Sequence, residues 1–247
     1  MSEHASPAIE QLQQVMDRLL SKGRPLRVLE AGCGSSTHLR LPEDRWLVGI
    51  DISQRQLERH AGLNERILGD LQEYEWPNNS FDLIVCWDVL EHLFDPGRAM
   101  MRMFGALREG GVVVLALPNR SSLKGWITRL TPFAVHSWFY RYIIGDTRPR
   151  DQIDQFPTFF RADVAPARIR TYATVAGLAT EHYQLYEGPV QIYLRKRNRL
   201  ANVAFGVLGG VSRLLTLGRY DPNYSDCMIV LRKLAILNPH RLTEPHA

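Results

Sequence analysis

The sequence predicts an α/β fold built on a doubly wound, mostly parallel sheet. Short apolar runs alternate with helix-period segments between residues 26 and 118, the pattern of strands crossing over through helices. The first apolar run ends in a glycine turn and the second ends in an acid, which places polar chemistry at one edge of the sheet. Two further apolar runs follow late in the chain. Together these features predict a single domain over residues 1–247, with a core at 26–118, an inserted cap at 119–165 and a basic amphipathic helix at 195–219.

Each element has its own warrant. Ile9, Leu12, Val15, Met16, Leu19 and Leu20 fall on one helical face, and Lys22-Gly23 stops that helix. Leu26–Glu30 reads as a strand, with Gly32–Ser36 as its turn. Trp46–Asp51 is a second strand, followed by a helix over Ser53–His60. Arg66–Leu68 is a short third strand and Phe81–Trp87 an apolar fourth. Pro96–Leu107 is helical, Gly110-Gly111 a turn, and Val112–Leu117 a fifth strand. After Pro118, residues 119–160 are rich in aromatics, Arg and Pro without a clean period, as expected of a cap over the sheet's carboxyl edge. Pro166–Gly177 reads as helix, and Thr180–Tyr186 and Cys227–Arg232 as two late strands.

Composition narrows the function. The 247 residues hold 30 Lys and Arg against 26 Asp and Glu, a net charge of +4, too slight to argue for nucleic-acid binding. Cys33, Cys86 and Cys227 are widely spaced in apolar stretches, so no zinc site or disulfide framework is expected, and buried free thiols in a reducing cytoplasm are. The first residues lack the basic start and apolar core of a signal peptide, and no apolar run is long enough to span a bilayer.

The turn Glu30-Ala31-Gly32-Cys33-Gly34-Ser35-Ser36 lets the backbone bend tightly and lets a ligand approach. Asp51 follows 21 residues after Glu30, at the end of the second strand, where a carboxylate accepts hydrogen bonds from a ribose diol. The third glycine of a dinucleotide turn is missing, since Thr37 stands there. Glu30 adjoins the turn, and a carboxylate there repels a pyrophosphate but suits a cation. S-adenosylmethionine carries an ammonium and a sulfonium, so the charge pattern favours it over NAD. Asp70, after the third strand, is placed to take an adenine amino group.

The motifs VLEAGCGSS, VGIDIS, ILGDL, FDLIVCWDVLEHL and LREGGVVVLALPN, in this order, resemble those of class I S-adenosylmethionine-dependent methyltransferases, most closely the bacterial small-molecule branch. The resemblance covers about residues 26–118. It implies a Rossmann-like sheet of seven strands ending in an antiparallel pair. It assigns Glu30, Gly32, Cys33 and Gly34 to the methionine part of the cofactor, Asp51 to the ribose, Ile52, Asp70 and Leu71 to adenine, and Trp87 and Asp88 to the border of the methyl group. Two features depart from the family. Ser36 stands where many members have glycine, and the short segment between Gly34 and Val48 leaves room only for a brief helix.

Methyl transfer to a hydroxyl benefits from a base, and the candidates are His92, Asp88 and His136. The acceptor is expected to be a small molecule methylated at oxygen, with lipid-linked, quinone or glycan acceptors in view. Two other functions stay open, an NAD-dependent oxidoreductase and a non-catalytic cofactor-binding module. The aromatic and cationic segment from Lys124 to Tyr142 suits either a pocket lid or a membrane-interface segment. The stretch 195–219 suits either packing on the protein or a bilayer surface. The protein is expected to be cytoplasmic, at most peripheral to the inner membrane face.

Overall fold

The computed structural model describes residues 7–20, 23–131 and 156–235. Seven strands form one sheet in the order β3-β2-β1-β4-β5-β7-β6. They are β1 Leu26–Ala31, β2 Arg45–Asp51, β3 Glu65–Leu68, β4 Phe81–Trp87, β5 Leu107–Pro118, β6 Leu178–Tyr186 and β7 Asp226–Lys233. β1 lies parallel to β2 and β4, β2 to β3, and β4 to β5. β7 runs antiparallel to both β5 and β6. The chain thus enters the centre of the sheet at β1, winds to one edge through β3, and returns through β4 on the other side. The crevice beyond the carboxyl ends of β1 and β4 is the switch point where such sheets bind ligands.

The helices are α1 Pro7–Leu19, α2 Gln54–Arg59, α3 Pro96–Ala106, α4 Leu123–Leu130, α5 Pro166–Val175, α6 Pro189–Arg197 and α7 Arg199–Leu215. Side chains alternate between the sheet's two faces, and both faces are buried. Val113, Leu115 and Leu117 join Met100, Met103 and Phe104 of α3 and Ile169 of α5. Val112, Val114 and Ala116 join Leu12, Val15 and Met16 of α1 and Leu57 of α2. This two-sided burial explains why β4 and β5 read as continuous apolar runs. Ser53 caps α2, its hydroxyl accepting from the Gln56 N–H, and Asp95 caps α3, its carboxylate accepting from the Arg98 N–H at 2.9 Å.

Three expectations change. The Gly110-Gly111 turn lies inside β5, where Gly110 takes φ +72° and the register against β4 shifts between Phe81 and Leu83. The segment between Gly34 and Val48 forms turns and bends with no helix. The stretch 195–219 is not one helix. Asn198 takes an extended conformation and ends α6, and its side chain accepts from the N–H groups of Leu200 (2.9 Å) and Ala201 (3.2 Å) to start α7. Residues 195–197 therefore close α6. Cys33, Cys86 and Cys227 are free and buried. His136 lies outside the described residues, as does most of the 119–165 cap.

Candidate active site

A cavity of about 920 Å³ opens at the carboxyl edge of the sheet. Gly32, Cys33 and Gly34 line it from the turn after β1, Asp51 and Ile52 from the end of β2, Asp70 and Leu71 from the turn after β3, and Trp87 and Asp88 from the end of β4. The turn is shaped by its two glycines, at φ +72° and +55°, values that disfavour any residue with a Cβ. A Cβ on Gly32 would lie 2.4 Å from Val89, so this glycine also admits the chain that follows β4. The N–H groups of Gly32 and Cys33 both donate to the Ile50 carbonyl, at 2.8 and 3.0 Å, tying the turn to β2.

The Asp51 carboxylate accepts from the Gly34 N–H at 2.9 Å and the Ser53 N–H at 2.8 Å, one on each oxygen. A carboxylate has about four lone-pair sites, so each oxygen keeps capacity toward the cavity. Asp51 is thereby fixed in place and still able to receive two hydroxyl donors. Asp70 accepts from the backbone and side-chain amides of Gln72, at 2.8–3.0 Å, which orients its carboxylate in the turn. Ile52 is exposed and Leu71 buried, and both present apolar surface to the same space.

Glu30 is placed differently from the other acids. It is buried and is not among the lining residues. Its Oε2 accepts from the Thr37 hydroxyl at 3.0 Å and pairs with His60 Nε2 at 3.1 Å. Burial pushes its carboxyl up to about 7, against the lowering influence of Thr37 and Arg45. Burial, then Asp51 and Glu30, push the Cys33 thiol up to about 12, so it stands in the wall as a neutral thiol.

The model of a family described as "Methyltransferase domain" matches residues 3–163 of the chain. With the strand order 3-2-1-4-5-7-6, this decides the assignment. The chain belongs to the class I S-adenosylmethionine-dependent methyltransferases. It is 34% identical over 125 residues to a probable S-adenosylmethionine-dependent methyltransferase of Mycolicibacterium smegmatis, a match covering 48% of this chain and 49% of that protein. It is 27% identical over 132 residues to a ubiquinone biosynthesis O-methyltransferase of Bradyrhizobium diazoefficiens, covering 46% and 51%. The chain spans about half the length of the curated relatives it matches. Among solved structures, the [4+2]-cyclase SpnF aligns with a TM-score of 0.57 at 14% identity, over 96% of this chain and 85% of that one. An S-adenosylmethionine-dependent methyltransferase from Mesorhizobium loti aligns at 0.53 and 17%, over 89% and 96%. At such identities these two likenesses concern the fold alone.

The far side of the methyltransferase's cavity has a distinct chemistry. Asp88 takes φ +52° as β4 ends, and its N–H donates to the Ala116 carbonyl at 2.9 Å. Its carboxylate opens onto the cavity, yet the surrounding walls withhold enough solvent to push it up to about 6, with Lys124 opposing and Asp226 reinforcing. Glu91 is only 3% exposed. Its Oε2 has no hydrogen-bond partner, and burial with the nearby Asp88 charge raises it far above the carboxylate range. Lys124 Nζ stands 3.1 Å from Asp226 Oδ1.

His92 Nδ1 lies 3.0 Å from the Pro157 carbonyl, and its Nε2 lies 3.8 Å from Glu91 Oε1. A carbonyl only accepts, so Nδ1 carries the hydrogen and Nε2 the lone pair. Burial holds the ring below its ordinary value, though the Pro157 contact opposes, so it is neutral at neutral pH. Segment 156–160 roofs this end. The Phe159 and Phe160 N–H groups donate to the Glu91 carbonyl at 2.8 and 3.3 Å.

The structure thus brings together Gly32, Cys33, Gly34, Asp51, Ile52, Asp70, Leu71, Trp87, Asp88 and His92 around one cavity. It also adds residues that sequence reasoning did not single out. Glu91 was inside a quoted motif, and its acid was the available signal. Lys124 and Asp226 lie 102 residues apart, and nothing local announces that they meet. His38 stacks on Trp87, with centroids 5.4 Å apart and planes at 11°.

Proposed function

We propose that the protein transfers a methyl group from S-adenosylmethionine to an oxygen of a small-molecule acceptor. The observation that supports this best is the anchored Asp51 carboxylate, with open capacity on both oxygens, in a cavity whose other end holds a neutral imidazole. In this reading Asp51 holds the ribose diol. The backbone of Gly32, Cys33 and Gly34 meets the amino-acid end, and Glu30, buried behind the turn, holds it through Thr37 and His60. Ile52 and Leu71 flank adenine, Asp70 takes its amino group, and Trp87 borders the methyl. When bound, the cofactor supplies a methyl already activated on a cationic sulfur.

The chain's own task is then alignment, exclusion of water and removal of one proton. His92 is the residue that takes the acceptor's hydroxyl proton at Nε2. Its Nδ1–H is fixed on the Pro157 carbonyl, and Glu91 stands beside the imidazolium that forms. Asp88 is the second acceptor of a proton at that end. Phe156–Phe160 cover it from solvent. The acceptors in view are lipid-linked molecules, quinones and glycans, and the reading places the protein in the cytoplasm. The O-methyltransferase named for ubiquinone biosynthesis supports a quinone-like hydroxyl.

The test is incubation with methyl-labelled donor and fractionated lysate, with lipid and aqueous products separated and the bond to the label identified by acid and base stability. Label in a small molecule as an ether or ester, lost with Asp51→Ala and reduced by about 10²–10⁴-fold in rate with His92→Ala, is the expected result. Saturable NAD binding without donor binding would replace this reading with the oxidoreductase. Donor binding without turnover in any fraction would replace it with a binding module.

A further inference from the structure

We propose that α4 and α7 form a docking face for an anionic lipid bilayer, beside the cavity. The inference starts from the surface of α7. Of its residues only Gly209 is buried, where a Cβ would meet the Asn223 side chain at 2.3 Å. Its contacts with the protein run along Ala201, Phe205 and Ser212, which are half-buried. Leu200, Val203, Val207, Val211, Leu214 and Leu215 stand in solvent, the last two at 77% and 78% exposure. A helix made to lie against its own domain buries its apolar stripe; this one turns it outward. No helix among the described residues is long and apolar enough to cross a membrane, so α7 would lie on a surface, not span it.

The second observation is α4. Its Lys124 and Thr128 line the cavity. On another face of the same helix, Trp126, Ile127 and Leu130 are exposed. The turn after α7 holds the two helices to one edge of the molecule. The Leu123 N–H donates to the Pro222 carbonyl at 2.9 Å, and the Tyr220 hydroxyl donates to the Ser121 carbonyl. The same turn grips α7, since Asn223 Nδ2 donates to the Phe205 carbonyl at 2.9 Å and the Ser212 hydroxyl to the Tyr220 carbonyl at 3.1 Å. Tryptophan at the rim of an apolar face matches the headgroup depth of a bilayer.

Charge selects the occupant. The stretch 195–219 contains Arg195, Lys196, Arg197, Arg199, Arg213 and Arg219 and no acid. Arg195 pairs with Glu187, and Arg213 lies 3.5 Å from Asp221. A second copy docked on the same stretch would bring no acid to meet these cations. An anionic bilayer accepts both the apolar face and the cations. A lipid-borne acceptor would then reach the cavity without crossing bulk water. The inference is independent of which atom is methylated, and its test needs no acceptor.

The experiment is flotation of the full chain with vesicles of phosphatidylcholine alone and with phosphatidylserine added, alongside sedimentation without lipid and calorimetric donor binding. The expected result is flotation with the anionic vesicles only, weakened by salt. Leu214→Ser with Leu215→Ser lowers vesicle affinity at least about tenfold while leaving donor affinity unchanged. Lys196→Gln with Arg199→Gln lowers it about fivefold per charge. Trp126 fluorescence, read against Trp126→Phe, is quenched by brominated lipid. Failure of the parent to float overturns the proposal, as does a dimer in sedimentation that Leu214→Ser with Leu215→Ser abolishes. Flotation without Trp126 quenching overturns the role of α4. Loss of donor binding in the parent would instead strike the methyl-transfer reading and leave this one standing.

Discussion

Glu30 and His60 bury an acid and a base against each other, and each is held toward its neutral form. His60 Nδ1 accepts from the Gly62 N–H at 3.3 Å, so in the neutral ring Nε2–H donates to Glu30. Burial lowers His60 and raises Glu30 to about 7. The consequence for stability has a definite sign. In the unfolded chain Glu30 loses its proton near its ordinary value of about 4.3, while the folded protein keeps it to about 7. Between those values the folded state holds the extra proton, so this residue's contribution falls as pH rises and levels off beyond about 7. The slope is at most about 1.4 kcal/mol per pH unit. Glu30→Gln removes that decline, and urea melts of both proteins from pH 5 to 8 will show their stability difference shifting in favour of the variant. The sequence located the acid beside the turn through charge logic alone. It did not reveal His60, 30 residues further along, because a partner brought in by a different helix leaves no local trace. Asp51 was legible for the opposite reason, since its position at a strand's end and its spacing from the turn are both local.

Among the elements, β4 is anchored at the end remote from the cavity by one carboxylate. Asp82 accepts from the Arg27 N–H at 2.9 Å, from Arg108 Nη1 at 2.7 Å, and from the Arg24 guanidinium. Burial pushes this carboxyl up, but those hydrogen bonds outweigh it and hold it below the ordinary value. Its stabilising contribution is therefore present above about pH 3.9 and disappears as pH falls through the lower folded value. Asp82→Ala leaves the Arg27 N–H without its acceptor and the two guanidiniums without their counter-charge. Both guanidiniums are half-exposed and regain water, so denaturant titration near neutral pH should show a loss of about 1–3 kcal/mol, chiefly from the orphaned N–H. The elements that sequence reasoning misjudged have separate causes. Residues 195–199 are all polar, so apolar periodicity cannot mark where α6 ends and α7 begins. The break comes from a side chain that caps the following helix more favourably than it continues the preceding one. The glycine pair at 110–111 looks like a turn by composition, yet β5 pairs with β4 on either side of it, at Leu107 and again from Val112, so the strand runs through with an irregularity.

At the scale of the whole molecule, ligand and fold share one free energy. The donor contacts proposed above lie at the ends of β1, β2, β3 and β4, which line one cavity and meet only in the folded sheet. Binding to the folded chain alone stabilises it by about 2.7 kcal/mol at a hundred times Kd. For a chain of this length that is an upward shift in Tm of roughly 5–10 °C. S-adenosylhomocysteine, which lacks the methyl and cannot turn over, should give this shift in calorimetry, and Asp51→Ala should abolish most of it. The sequence displayed the strands as apolar runs, but their spatial order is absent from periodicity. The resemblance to a known family implied seven strands and a final antiparallel pair; the order itself comes from the structure, and Asp88, Lys124 and Asp226 gather only because that order puts β7 beside β5.

The placement of β7 between β5 and β6 also governs the chain during its synthesis. Until residues 226–233 leave the ribosome, the apolar edge of β5 has no neighbour on that side and β6 has nothing to pair with. Nascent chains halted before that point would expose a long, nearly all-aliphatic edge, the kind that recruits chaperones or sticks to its own kind. Expression truncated near residue 220 should therefore yield aggregates, even though almost every wall of the cavity has already been translated.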